Sequence, residues 1–294
     1  MKLSSFGSWI RGHKFLAVLL VIGAFLLWEI LTIPYFSIYS LKTTNPQETA
    51  LMRQRMDEAE EAGKKLRISN RWISISRIPR QTLDAVIAAE DGTFYTHGGI
   101  DWFEVQESIS KNIEEGRAAR GASTITQQLA KNLYLSTSKS ILRKLEEVVI
   151  TLLMETHLTK TRILELYVNL IEWGPGVFGI DAAARTYFGK SASELTLDES
   201  LRLAAVIPSP LRHRPNGDSR YVSRRSRIVL NRMIGRGQTE EEDLVEEEIE
   251  EEEIDTTLQE PDSMVPMPLR TVEIDSTLEF PGDTAKADPG DTIE

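Results

Sequence analysis

The feature that most restricts this chain is a run of 19 almost uninterrupted apolar residues, Phe15 to Ile33. At roughly 1.5 Å per residue such a helix is about 28 Å long, close to the ~30 Å hydrocarbon core of a bilayer. No small-residue cleavage site follows, and the run meets Trp28, Pro34 and Tyr35, which suit an interface. It therefore reads as an uncleaved anchor rather than a signal peptide. Lys2, Arg11 and Lys14 precede it with no acidic residue among them. Residues 1–36 are then expected to comprise a cytoplasmic N-terminus and the transmembrane anchor, and the positive-inside rule predicts an extracytoplasmic body, with membrane lipid as a partner.

Net charge is −11 over 294 residues, yet from Glu240 onward the chain holds 21 acidic and 2 basic residues, which leaves the rest at +8. A basic body points to anionic partners, and the segment 238–294 is too charged and too poor in apolar residues to fold alone, so it reads as a disordered acidic tail. The absence of cysteine excludes disulfide frameworks, thiolate metal sites and thiol nucleophiles. Residues 37–66 are polar and read as a juxtamembrane linker with a helical stretch around Glu48 to Ala62. Over 67–237 the pattern is mainly α: Leu83, Val86 and Ile87, then Leu129 and Leu133, then Leu145, Val149 and Leu152 each mark an apolar helical face.

Three polar clusters could carry chemistry. Glu90, Asp91, Phe94, His97 and Gly99 crowd the end of the Leu83–Ala89 helix, where acidic groups oppose the macrodipole; the alternative is a capped turn with Phe94 in the core. Ser123, Thr124, Gln127 and Gln128 follow Gly121, and Thr124 with Gln127 has capping-box spacing. Backbone N–H groups at that helix start, with Lys131, Lys139, Arg143 and Lys144 close behind, make an anion site suited to a pyrophosphate; an ordinary capped surface helix stays open. In the third cluster Glu147 lies off the Leu142, Leu145, Val149 and Leu152 stripe, four residues after Arg143. It is either half of a surface ion pair or the partner of Glu90 across a sugar.

These residues resemble the peptidoglycan glycosyltransferases of glycosyltransferase family 51, specifically the monofunctional biosynthetic transglycosylases, over roughly Ile75 to Pro215 and in the anchor. The matching motifs are Glu90-Asp91 through Phe94, His97 and Gly99; Gly121 with Ser123, Thr124, Thr126, Gln127 and Gln128; Arg143-Lys144 with Glu147; Lys160 through Ile163, Leu164, Glu165, Tyr167 and Asn169; and Leu203 to Pro208. The resemblance implies a lysozyme-like domain with a small membrane-dipping lobe, acting on lipid II and the growing lipid-linked glycan at the inner membrane. By it, Glu90 is the general base and Glu147 sits at the leaving pyrophosphate. Asp91, Phe94, His97, Ser123, Thr124, Gln127, Gln128, Lys131, Lys139, Arg143 and Lys144 are substrate-binding residues. The family usually has arginine at Lys139. No cofactor is obligatory, with a divalent cation such as magnesium an option at the pyrophosphate, and the expected partners are other cell-wall synthesis proteins rather than nucleic acid.

Three other classes bear comparison. A lytic transglycosylase or muramidase would use a catalytic glutamate without needing the cation-rich clusters. A penicillin-binding transpeptidase would need Lys-Thr-Gly after Ser108-x-x-Lys111 or Ser136-x-x-Lys139; none follows, and the 79 residues after Pro215 leave no room for that domain. A membrane-anchored scaffold would use the acidic tail to bind a basic partner.

Overall fold

Helix α7 (Lys160–Leu170) is the pivot of the fold, because Ile163, Leu164 and every residue from Leu166 to Leu170 are buried. A helix buried this far around its circumference has to be enclosed by others. The computed structural model describes residues 23, 32–115, 123–137 and 140–235. Apart from Gly23, Thr32 and Ile33, the apolar run lies outside the described residues, as do Lys139 and the tail 238–294. Among the described residues no helix is long and apolar enough to cross a membrane.

In chain order the other helices are α1 (Tyr35–Ser40), α2 (Ala50–Glu61), α3 (Arg80–Glu90), α4 (Trp102–Glu115), α5 (Ile125–Tyr134), α6 (Ile141–His157), α8 (Ile180–Phe188), α9 (Leu197–Val206) and α10 (Arg220–Met233). The mainly helical expectation holds. A small sheet joins them: β1 (Ser69–Asn70) lies parallel to β3 (Val177–Phe178), which pairs antiparallel with β2 (Glu172–Gly174). Gly179 ends β3 at φ +81, and a Cβ there would sit 2.6 Å from the Asn169 carbonyl oxygen, so only glycine fits the turn into α8.

The helices form two groups. Helices α5, α6 and α7 pack on one another, while α3, α9 and α10 pack as a second set through Ala85, Ala89, Leu201, Ala204 and Val229. Glu90, the last residue of α3, stands where the two groups meet.

Two expectations change. The segment read as a linker is part of the body: Ile38, Leu41, Leu51 and Met52 are buried, Arg55 pairs with Glu172 at 2.8 Å, and Arg162 donates to the Leu41 and Thr44 carbonyls. Ile38, Leu41, Leu51 and Met52 face the body, which supplies an acceptor for Arg55 in Glu172 and a donor for the Leu41 and Thr44 carbonyls in Arg162. The second change concerns α6. Its apolar stripe faces outward, with Ile141 83% and Leu145 58% exposed, while Glu147, 2% exposed, faces inward beside Ile150, Thr151 and Met154. Trp102, Phe103, Ile109 and Ile113 of α4 and Phe36 of α1 are likewise exposed. Periodicity reveals that a helix has an apolar face but not which side meets the core.

Candidate active site

Glu90 occupies the floor of a cleft of about 740 Å³ lined by α3, α4 and α10 and by the loops that carry Gly92, Thr93, Ser123 and Thr124. Its Oε2 accepts from Gln128 Nε2 at 2.7 Å, while its Oε1 is buried and has no partner among the described residues. The Gln128 amide is oriented from behind, because the Tyr167 hydroxyl donates to its Oε1 at 2.9 Å. Burial, helped by the Glu90 and Asp91 charges, pushes the Tyr167 phenol well above its usual range, so it stays a donor. Burial also pushes the Glu90 carboxyl above the ordinary glutamate range, against the Gln128 hydrogen bond and the Arg225 and Arg232 charges, which pull it down. A carboxylate with a raised pKa and one uncommitted oxygen in a cleft can take a proton.

Asp91 holds the frame around that oxygen. Its Oδ2 accepts from the Ile125 N–H at 3.0 Å, the first turn of α5, and its Oδ1 accepts from His97 Nε2 at 2.9 Å. His97 Nδ1 accepts from the Gly99 N–H at 3.1 Å, which places the ring proton on Nε2. The Gly99 carbonyl accepts from the Thr124 hydroxyl at 2.7 Å. Gly99 has φ +92, and a Cβ there would meet Glu155 Cγ at 2.7 Å. The first and second clusters thus close on each other. The capping box forms as the spacing predicts, with Gln127 N–H to Thr124 Oγ1 at 3.2 Å and Thr124 N–H to Gln127 Oε1 at 3.1 Å. The anion expected at this helix start is supplied by the protein itself, as Asp91.

Phe94, expected among the substrate-binding residues, is wholly enclosed in the core with the Lys160 ammonium 4.5 Å from its ring centre, so it offers no surface to a ligand. Gln127 is also buried and committed to the cap. Thr124 and Asp91 line the cleft, but their polar atoms serve the frame. Because Asp91 satisfies two groups from a buried position, Asp91→Ala should cost about 2–6 kcal/mol, as each orphaned buried group is worth about 1–3 kcal/mol. An unchanged urea midpoint for that variant would show that the Asp91 hydrogen bonds to Ile125 and His97 do not stabilise the fold.

Glu147 forms the second centre. Its Oε2 accepts from Arg143 Nη1 at 2.7 Å and its Oε1 from the Lys144 ammonium. Lys144 also donates to Ser123 Oγ at 3.2 Å, and Ser123 lines the Glu90 cleft. Lys131, half-buried on α5, carries no direct ion pair among the described residues. Burial lowers its ammonium pKa, opposed mainly by Glu147 and more weakly by Glu90, so it stands within electrostatic reach of both carboxylates. The surface ion pair considered for Glu147 has its carboxylate buried, with the Lys144 side chain still 44% exposed. Both Glu147 oxygens already accept from cations, so the carboxylate offers a magnesium ion no uncommitted ligand.

Sequence reasoning missed Arg225 and Arg232, which enter the cleft from α10. The only signal was the density of arginine from Arg220 to Arg232, beyond the motif span that ends at Pro215.

A family model described as Transglycosylase matches residues 58–234, a span that takes in α10. A biosynthetic peptidoglycan transglycosylase of Nitrosospira multiformis is 42% identical over 219 residues, which is 74% of this chain and 93% of that protein. One from Dechloromonas aromatica is 40% identical over 227 residues, 77% of this chain and 96% of the relative. A third, from Methylobacillus flagellatus, is 44% identical over 189 residues, 64% and 82% of the two chains. With the matched span enclosing both carboxylate centres and most of the described body, the chain belongs to the peptidoglycan transglycosylase family.

Proposed function

We propose that this peptidoglycan glycosyltransferase polymerises lipid II, with Glu90 as general base and the Glu147 cluster at the leaving group. The observation that carries the reading is the buried, unpartnered Oε1 of Glu90 at the cleft, with Gln128 fixing the other oxygen. The 4-hydroxyl of incoming lipid II gives its proton to Glu90 as its oxygen bonds to the anomeric carbon of the growing chain. The bond from that carbon to the pyrophosphate breaks, and undecaprenyl pyrophosphate leaves with the electron pair. Lys131, Arg143 and Lys144 offset the negative charge that grows on the leaving group. A protein-held divalent cation has no open carboxylate at Glu147, so the counter-charge in this reading comes from side chains.

Incubation of the purified protein with lipid II should yield polymer that muramidase digests. Soluble fragments released from finished peptidoglycan would instead indicate a lytic enzyme, and neither product would leave a scaffold. Lys131→Ala should lower turnover about tenfold to over a hundredfold, since a charge-assisted contact in a partly desolvated site is worth about 1.5–3 kcal/mol. Wild-type turnover by that variant at limiting and saturating lipid II would remove Lys131 from the site.

The reading also places the protein in the inner membrane, with Phe15–Ile33 as anchor and the body on the periplasmic side. The exposed apolar side chains of α1, α4 and α6 support a body seated against lipid, because soluble surfaces rarely gather so many. A reporter fused after Tyr35 should be active only in its extracytoplasmic form, and cytoplasmic activity would reverse the topology.

A further inference from the structure

Helix α10 is rich in arginine, and the chain that follows it reverses sign. Residues 219–239 hold six arginines and no acidic residue, while residues 240–252 hold ten acidic residues and no basic one. Blocks of one sign repel themselves and attract a complement, so two opposite blocks joined end to end are each other's nearest partner.

The arginines of α10 do not share one environment. Tyr221, Val222, Ser226, Ile228 and Val229 are buried, and α10 packs on α3 and α9. Arg220, Ser223 and Arg227 are exposed, and their spacing of three and four residues puts them on one face, away from that packing. The acidic side chains of the neighbouring helices pair elsewhere: Asp84 of α3 with Arg80, and Asp198 and Glu199 of α9 with Arg202 and Lys190. Among the described residues no carboxylate pairs with Arg220 or Arg227, so this face of α10 is a cationic surface open to a ligand.

Reach is sufficient. Glu240 lies five positions after Gly235, a span of at most about 18 Å. Helix α10 has 14 residues and is about 21 Å long, whereas the 13 residues of the acidic run extend to about 45 Å. The run can therefore return along the whole helix, and so short a tether keeps its effective concentration there high. Its only apolar residues are Leu244, Val245 and Ile249, so charge rather than burial has to drive the contact.

We propose that residues 240–252 dock on the exposed arginine face of α10 in the same chain. The family span ends at residue 234, so this contact lies outside the shared catalytic domain and belongs to the tail that this chain carries. Arg232 and Met233, at the end of α10, line the Glu90 cleft, so the docked run begins at the edge of that cleft. Each exposed ion pair is weak alone, and the contact depends on many acting together and on low ionic strength.

The chain has no cysteine, so one pair can be introduced into the full-length protein without interference. Ser223→Cys marks the helix face between Arg220 and Arg227, and Val245→Cys marks the acidic run. A short thiol cross-linker should join the two within one chain at low salt. The yield should fall about fivefold or more at 1 M salt, where the Debye length is about 3 Å. It should fall as far at low salt when the ten acidic residues become glutamine or asparagine, or when Arg220→Gln and Arg227→Gln are combined. Thermal melting checks that each protein is folded; should the arginine variant not fold, the neutralised tail carries the test, since it leaves the body unaltered. Equal yields with the native and the neutralised tail would show that the tether alone brings the sites together, and would overturn the docking. Cross-links formed between chains in place of within one would overturn it too, by assigning the face to a second copy. The cross-link is read without turnover, so its outcome is independent of the polymerase reading.

Discussion

Glu90→Gln should abolish nearly all polymerisation, with a loss of about a hundredfold to ten-thousandfold, the usual contribution of a positioned general base. Glutamine keeps the shape and can still accept from Gln128 Nε2, but it cannot take a proton. The same substitution should raise the melting temperature at neutral pH. Burial holds the folded-state pKa of Glu90 above its unfolded value. The folded protein then binds the proton more tightly, so stability from this group is present below the unfolded pKa and is lost as pH rises through the folded one. Above that window the ionised carboxylate is a cost, and the neutral amide removes it. In the wild type, activity should fall on the acid side at a pH above the ordinary glutamate range, because the base works only when ionised. A folded Glu90→Gln enzyme within a few-fold of wild type would assign the base elsewhere, with Asp91 and Glu147 next.

At the second centre, Glu147→Gln should lower turnover about tenfold to a hundredfold, because small displacements of positioning charges cost rates of that order. The buried carboxylate fixes Arg143 and Lys144 from its two oxygens, and with its charge gone Lys131, Arg143 and Lys144 repel one another. Breaking a buried pair costs about 3–5 kcal/mol, and the lower end applies here because the Lys144 ammonium is partly in water. Added magnesium should not restore the rate, since the defect lies in the placement of two side chains. Recovery of wild-type turnover with magnesium would show that Glu147 works through a metal ion after all.

Much of the site was legible along the chain because its parts are local. The capping box needs only Thr124 and Gln127 three residues apart, and the i,i+4 pair of Arg143 and Glu147 needs only one helix. The helical class was legible for the same reason, since apolar spacing is a property of consecutive residues. What local rules cannot say is which way an amphipathic helix turns. The α6 stripe was read correctly as apolar, but it faces outward, and Glu147 faces in, where it accepts from Arg143 and from Lys144, which also donates to Ser123. Nor can they say which residues are spent on one another. Asp91 and the α5 start each looked available for substrate, and they bind each other across 34 positions of chain.

By itself, then, the sequence determined the helical class, the polar clusters and the family, because these rest on residue type and short spacing. Only the tertiary structure decided that segment 37–66 belongs to the body and that Gln128, held by Tyr167, orients Glu90. It also brought Arg225, 135 residues further on, to the same cleft. The physical reason is that burial and hydrogen-bond partnership depend on what packs against a residue, and that is fixed by contacts between elements far apart in the chain.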